Sequence, residues 1–168
     1  MSEGFRELAR WVAGSAAHDV AVDWLRNVPG LPPIVQTLHL VSIAVVLGSI
    51  VVFNLRVLRL IVPSQDPGEM SRRLAPWTWG ALPVLLASGS IFVLARPHRY
   101  FLNPMFGIKL SALVAACVLA ATGYALAGRG ETESLRARGV ALAGLLAWIV
   151  TILAGRWIAY VDYLFPPE

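Results

Sequence analysis

From Leu31 to Leu55 the chain runs 25 residues without an Asp, Glu, Lys or Arg. Three more stretches share this property: Leu74 to Ala95, Leu110 to Gly128, and Val140 to Gly155. A hydrocarbon core of about 30 Å needs about 20 apolar residues in helical form. Lipid offers no partner to a backbone N–H or C=O, so each crossing segment must be helical. These runs therefore restrict the chain to a bundle of four transmembrane helices, spans A to D. The fourth run reaches full length only by continuing past Arg156 to about Asp162. With their interfacial turns the spans are expected at about 33–60, 74–96, 105–128 and 139–162. The fold class is all-α, an integral membrane four-helix bundle covering 31–168.

Composition agrees. Hydrophobic residues make up 57% of the 168 residues, against about 45–50% in soluble domains, and the mean hydropathy is +0.67. The net charge of +4 follows from 14 Lys and Arg against 10 Asp and Glu. The basic residues cluster at span ends, where membrane electrostatics accounts for them. No basic tract interleaved with aromatics is present, which argues against nucleic acid as a partner. Cys117 is the single cysteine, so neither an internal disulfide nor a thiolate cluster can form within one chain.

Residues 1–30 differ from the spans. Phe5, Leu8, Val12, Ala16, Val20 and Trp24 recur at helical spacing, and Glu3, Arg6, Glu7, Arg10, Asp19, Asp23 and Arg26 fall largely on other faces. This is the pattern of an N-terminal amphipathic interfacial helix. Gly14-Ser15 is positioned to divide it in two, and Pro29-Gly30-Leu31-Pro32-Pro33 makes a stiff turn into span A. The charges interrupt any signal-peptide apolar region.

Orientation rests on basic residues. The A–B and C–D loops carry Arg56, Arg59, Arg72, Arg73, Arg129, Arg136 and Arg138. The other side carries an equal number, but Lys109 and Arg156 lie within spans and Arg6, Arg10 and Arg26 in the interfacial segment. Loops alone place the A–B and C–D side in the cytoplasm. Both termini are then expected on the periplasmic side of a bacterial inner membrane.

Ionisable residues inside spans point to function. His39 lies near the start of A, Lys109 near the start of C, and Arg156 near the end of D. Alternating crossings put all three about 7–9 Å inside one face. His98 and Arg99, at the end of B, lie just above them. A neutral imidazole with nearby cations suits a haem, the iron taking the imidazole and the cations the propionates. His39 is the expected axial ligand, His98 the second, with Met105 a weaker candidate; Lys109, Arg156 and Arg99 are expected to hold propionates. The cluster equally suits a quinone head group, or a metal drawing on His18, His98 and Met105. Structural roles exist for the same residues: a histidine bonded to a neighbouring helix, cations snorkelling to headgroups, and Trp and Tyr in the interfacial belt.

Several segments resemble known families. Gln36-Thr37-Leu38-His39-Leu40, then Ile43 to Ser49 and Leu55-Arg56-Val57-Leu58-Arg59-Leu60, resembles the first span of HemJ-type protoporphyrinogen oxidases. Phe106-Gly107-Ile108-Lys109-Leu110 resembles the later aromatic-x-x-Lys-Leu element of that family. Gly89 to Arg129 is similar to part of the copper-resistance CopD membrane domain. Leu38-His39-Leu40, Trp77-Thr78-Trp79-Gly80 and Gly155-Arg156-Trp157-Ile158-Ala159-Tyr160 resemble an uncharacterised family of bacterial four-span proteins. The HemJ likeness implies haem b, with His39 and Lys109 matching that family's span His and Lys. The chain lacks a second His at the far end of span A and ends in its own Gly-Arg-Trp-Ile-Ala-Tyr element. The expected function is haem b binding in electron transfer or tetrapyrrole-linked redox chemistry, with a quinone or redox protein as partner. The alternatives are a non-enzymatic accessory subunit of a larger membrane complex or homo-oligomer, and CopD-like copper or solute transport.

Overall fold

The computed structural model describes residues 3–160. Seven helices follow in order: α1 (Glu3–Ala13), α2 (Ala16–Asn27), α3 (Leu31–Val57), α4 (Pro67–Ala95), α5 (Pro97–Phe101), α6 (Pro104–Gly128) and α7 (Leu135–Trp157). Helices α3, α4, α6 and α7 are each long and apolar enough to cross a membrane.

Local chemistry sets the boundaries. Gly30 takes a left-handed φ of 78° ahead of α3, a conformation glycine adopts without a Cβ penalty. Pro32 and Pro33 then fall in the first turn, where their missing N–H groups cost nothing. Helix α4 starts at Pro67, earlier than the apolar run suggests, because Asp66 caps it by accepting from the Glu69 N–H at 2.7 Å. Asn103 caps α6 through Met105 N–H at 2.9 Å, and Ser134 caps α7 through Ala137 N–H at 3.1 Å. Pro76 and Pro83 lie inside α4, which continues through both. Helix α7 ends at Trp157, with a turn to Tyr160; the expected extension to Asp162 lies outside the described residues.

The spans form two antiparallel hairpins, α3 with α4 and α6 with α7. Contacts of α3 with α7 and of α4 with α6 close the ring. The burial pattern is that of a membrane bundle. Leu38, Leu40, Val114, Val118, Leu146 and Leu153 are exposed on the outer surface, where lipid tails receive them. The buried positions include many small or weakly polar residues: Ser42, Ser49, Ala116, Ala120, Ala141, Thr151 and Ala154. Lipid is as apolar as leucine, so helices associate through close backbone approach and hydrogen bonds rather than through burial of bulk.

Two buried clusters stack along the axis. Val46, Ile50, Leu85, Ala116, Ala120 and Trp148 fill the middle. Phe53, Val57, Met70, Tyr124, Ala137 and Ala141 fill the end beneath the α3–α4 and α6–α7 loops. There the Phe53 and Tyr124 rings pack at 4.7 Å, and the Tyr124 and Thr78 hydroxyls share a 2.8 Å hydrogen bond. Tyr124→Phe removes that link between α6 and α4. Interhelical bonds in membranes average about 0.6 kcal/mol, so a loss of that size is expected in mixed-micelle unfolding.

The amphipathic segment forms two helices, α1 and α2, divided at Gly14-Ser15 as its sequence suggests. Helix α1 packs on α5 and α2 on α4. The His18 Nδ1–H donates to the Leu94 carbonyl at 2.7 Å, pinning α2 to the end of α4. Trp11, Trp24 and Phe5 remain exposed on the outer side of this pair.

Candidate functional site

The start of α3, the end of α4, the start of α6 and the end of α7 share one end of the bundle. Two side-chain contacts link neighbouring helices there. On the α3–α4 seam, His39 Nδ1 lies 2.9 Å from Ser88 Oγ. The Ser88 hydroxyl is directed at the Val84 and Leu85 carbonyls, at 2.6 and 3.1 Å. Its single proton is thereby committed to the backbone, so the oxygen accepts from His39 Nδ1–H. In the neutral ring this arrangement leaves the lone pair on Nε2. Gly89 makes room for it: a Cβ at Gly89 would stand 3.1 Å from His39 Cε1.

On the α6–α7 seam, Lys109 lies across Gly155, where an added Cβ would be 3.4 Å from Lys109 Cε and 3.5 Å from Nζ. Asn103 ties the start of α6 to the end of α7 by donating to the Ile158 carbonyl at 3.3 Å. Lys109 is within Coulombic range of the His39 ring.

The other expected residues lie elsewhere. Arg156 is exposed, donates to the Tyr160 hydroxyl at 2.9 Å and sits 5.1 Å over that ring. His98 and Arg99 are exposed on α5, and among the described residues His39 has its side-chain hydrogen bond with Ser88, not with either of them. Met105 lies in the first turn of α6. His18 is engaged with Leu94. Among the described residues, no group of three His, Cys, Asp or Glu is placed to hold a metal ion.

A cavity of about 550 Å³ opens on the same seam as His39. Gln36, one turn before His39 on α3, and Phe92, one turn after Ser88 and Gly89 on α4, line it. The cavity therefore begins about one helical turn from the imidazole. Leu25 and Val22 of α2 supply an apolar outer wall, and Arg26 and Arg96 also line the site. Its size is in the range of small-molecule sites, and a mainly apolar lining with a few polar groups is typical of them. Arg26, Arg96, Gln36 and Ser88 were not evident as site residues from sequence. The two arginines read there as ordinary span-end charges, and only the packing of α2 over the α3–α4 seam brings them together.

A bundle of four membrane-capable helices with a half-buried polar end defines a multi-pass α-helical membrane protein. More specifically, the chain belongs to the family of unknown function DUF6644, which matches residues 31–161. No curated protein and no solved structure matches it.

Proposed function

We propose that the α3–α4 seam binds haem b and that the protein serves electron transfer or tetrapyrrole-linked redox chemistry in the bacterial cytoplasmic membrane. The observation that carries this reading is the His39 imidazole, bonded to Ser88 and admitted by Gly89, about one helical turn from a mainly apolar cavity lined partly by arginine. The donor set fits the group. With Nδ1–H donated to Ser88, Nε2 would be the ligating nitrogen of a ring oriented by its other nitrogen, the arrangement typical of metal-ligating histidines. Arg26 and Arg96 are suited to the two propionates by bidentate, charge-assisted hydrogen bonds. Phe92, Leu25 and Val22 exclude water from the ring edge, and Lys109 contributes positive charge at the level of the imidazole. When bound, haem would supply one-electron exchange, its potential tuned by the axial ligand and the surrounding polarity. The loop arginines favour the α3–α4 and α6–α7 loops facing the cytoplasm.

Protein purified from haem-replete cells is expected to show a Soret band. A colourless preparation that takes up no added hemin would overturn the reading. In hemin titrations, Arg26→Gln with Arg96→Gln is expected to weaken binding about tenfold or more, from the loss of charged hydrogen bonds. Arg156→Gln is expected to leave affinity unchanged, because its guanidinium is engaged with Tyr160.

A further inference from the structure

The opposite end of the bundle holds a second cavity, about 480 Å³ in volume, between the α3–α4 loop and the α6–α7 loop. Arg56, Arg59 and Arg72 line it together with Asp66 and Glu133. The two carboxylates are already engaged. Asp66 accepts the Glu69 N–H as a helix cap, and Glu133 pairs with Arg59 at 2.6 Å. The guanidinium groups are less fully used. Arg56 is held rigidly by donating Nε–H to the Gln65 carbonyl at 2.6 Å and Nη2–H to the Pro63 carbonyl at 3.0 Å. Its Nη1 donors remain available. Arg72, exposed on the second turn of α4, has no hydrogen-bond or ion-pair partner among the described residues.

The loop that frames the cavity is strained. Arg59 and Val62 adopt positive φ values of 62° and 42°, costly for residues with a Cβ and especially for a β-branched one. The strained segment also presents apolar side chains outward, with Leu60 69% and Val62 42% exposed. Apolar residues beside arginines at the ends of two spans are placed for the membrane–water boundary, where anionic headgroups concentrate.

We propose that this cavity binds a phosphate-bearing anion, with Arg56 and Arg72 as its principal donors and Arg59 released to it from Glu133. The phosphate belongs either to an anionic phospholipid headgroup or to a small soluble phosphate. Arginine matches both, since its planar fork pairs with two phosphate oxygens. The site is independent of the haem reading: it lies at the other end of the spans and shares no residue with the α3–α4 cavity.

The test is thermal unfolding of the full-length protein in a neutral detergent, titrated separately with phosphatidylglycerol, phosphatidylcholine and inorganic phosphate. Stabilisation that saturates with phosphatidylglycerol but not with phosphatidylcholine supports a lipid headgroup site. Saturable stabilisation by inorganic phosphate alone supports a soluble ligand. In either case Arg72→Gln should weaken the apparent affinity about tenfold or more, and Glu133→Gln should tighten it by freeing Arg59. Arg72 is exposed and unpaired, so its replacement tests the site without disturbing the loop that Arg56 supports. No saturable shift with phosphatidylglycerol or phosphate, or an unchanged affinity in Arg72→Gln, would overturn the proposal.

Discussion

Replacing His39 with alanine is expected to abolish the Soret band of the purified protein while leaving its helix content and thermal unfolding largely intact. His39 is half-buried at the end of a seam, outside the two apolar clusters, so its removal takes little packing from the bundle. It does take the imidazole that α3 presents to α4 at this seam. Ser88→Ala is the sharper companion. It leaves the ligand in place and removes the acceptor that orients it. Losses of such supporting partners typically weaken metal affinity by 10–100-fold. Hemin titrations of the two variants should therefore be graded, complete loss for His39→Ala and partial loss for Ser88→Ala. Equal binding by His39→Ala and the unaltered protein would remove His39 from the site altogether.

The second large effect is expected at Gly144. A Cβ there would stand 3.2 Å from Asn54 Nδ2 and 3.8 Å from Leu119 Cβ. Gly144 on α7 thus lets α3 and α6 approach at once, and Asn54 is 4% exposed, with little room to retreat. Gly144→Leu would wedge the three helices apart. Overpacking a tight core costs about 1–3 kcal/mol, sometimes more, and a cost at or above the upper end is expected because two neighbours must move together. Gly48 is the internal control, since nothing lies within 4 Å of a Cβ there. Gly48→Ala should be neutral or slightly stabilising, because alanine is the better helix former. Reversible unfolding in mixed micelles measures both. Similar stabilities for Gly144→Leu and Gly48→Ala would refute the close three-helix approach.

The interior of the bundle explains why some of the site was visible in the sequence and some was not. His39 and Lys109 stand out in any reading, because a titratable group inside an apolar run is costly unless something receives it. Their shared depth follows from counting residues along helices that alternate in direction. Depth is only one coordinate, however. Arg156 lies on the same end yet turns outward to Tyr160, because its azimuth on α7 is set by how that helix packs. His98 falls on the short helix α5, whose existence no apolar run announces. Arg26 and Arg96 are 70 residues apart in sequence and line one cavity only because the α2 helix folds back against α4.

The four apolar runs, their caps and the amphipathic first segment are local properties. Hydrogen-bond demand in lipid and the 1.5 Å rise of a helix decide them almost without reference to the rest of the chain. The sequence by itself therefore determined that this is a four-span helical protein with polar groups concentrated at one level. Only the tertiary structure decided which seam each group enters. That choice depends on where small residues such as Gly89, Gly144 and Gly155 let helices and side chains approach. In a bilayer, where burial of bulky apolar residues does not distinguish one helix face from another, this close approach is what sets the rotation of each span.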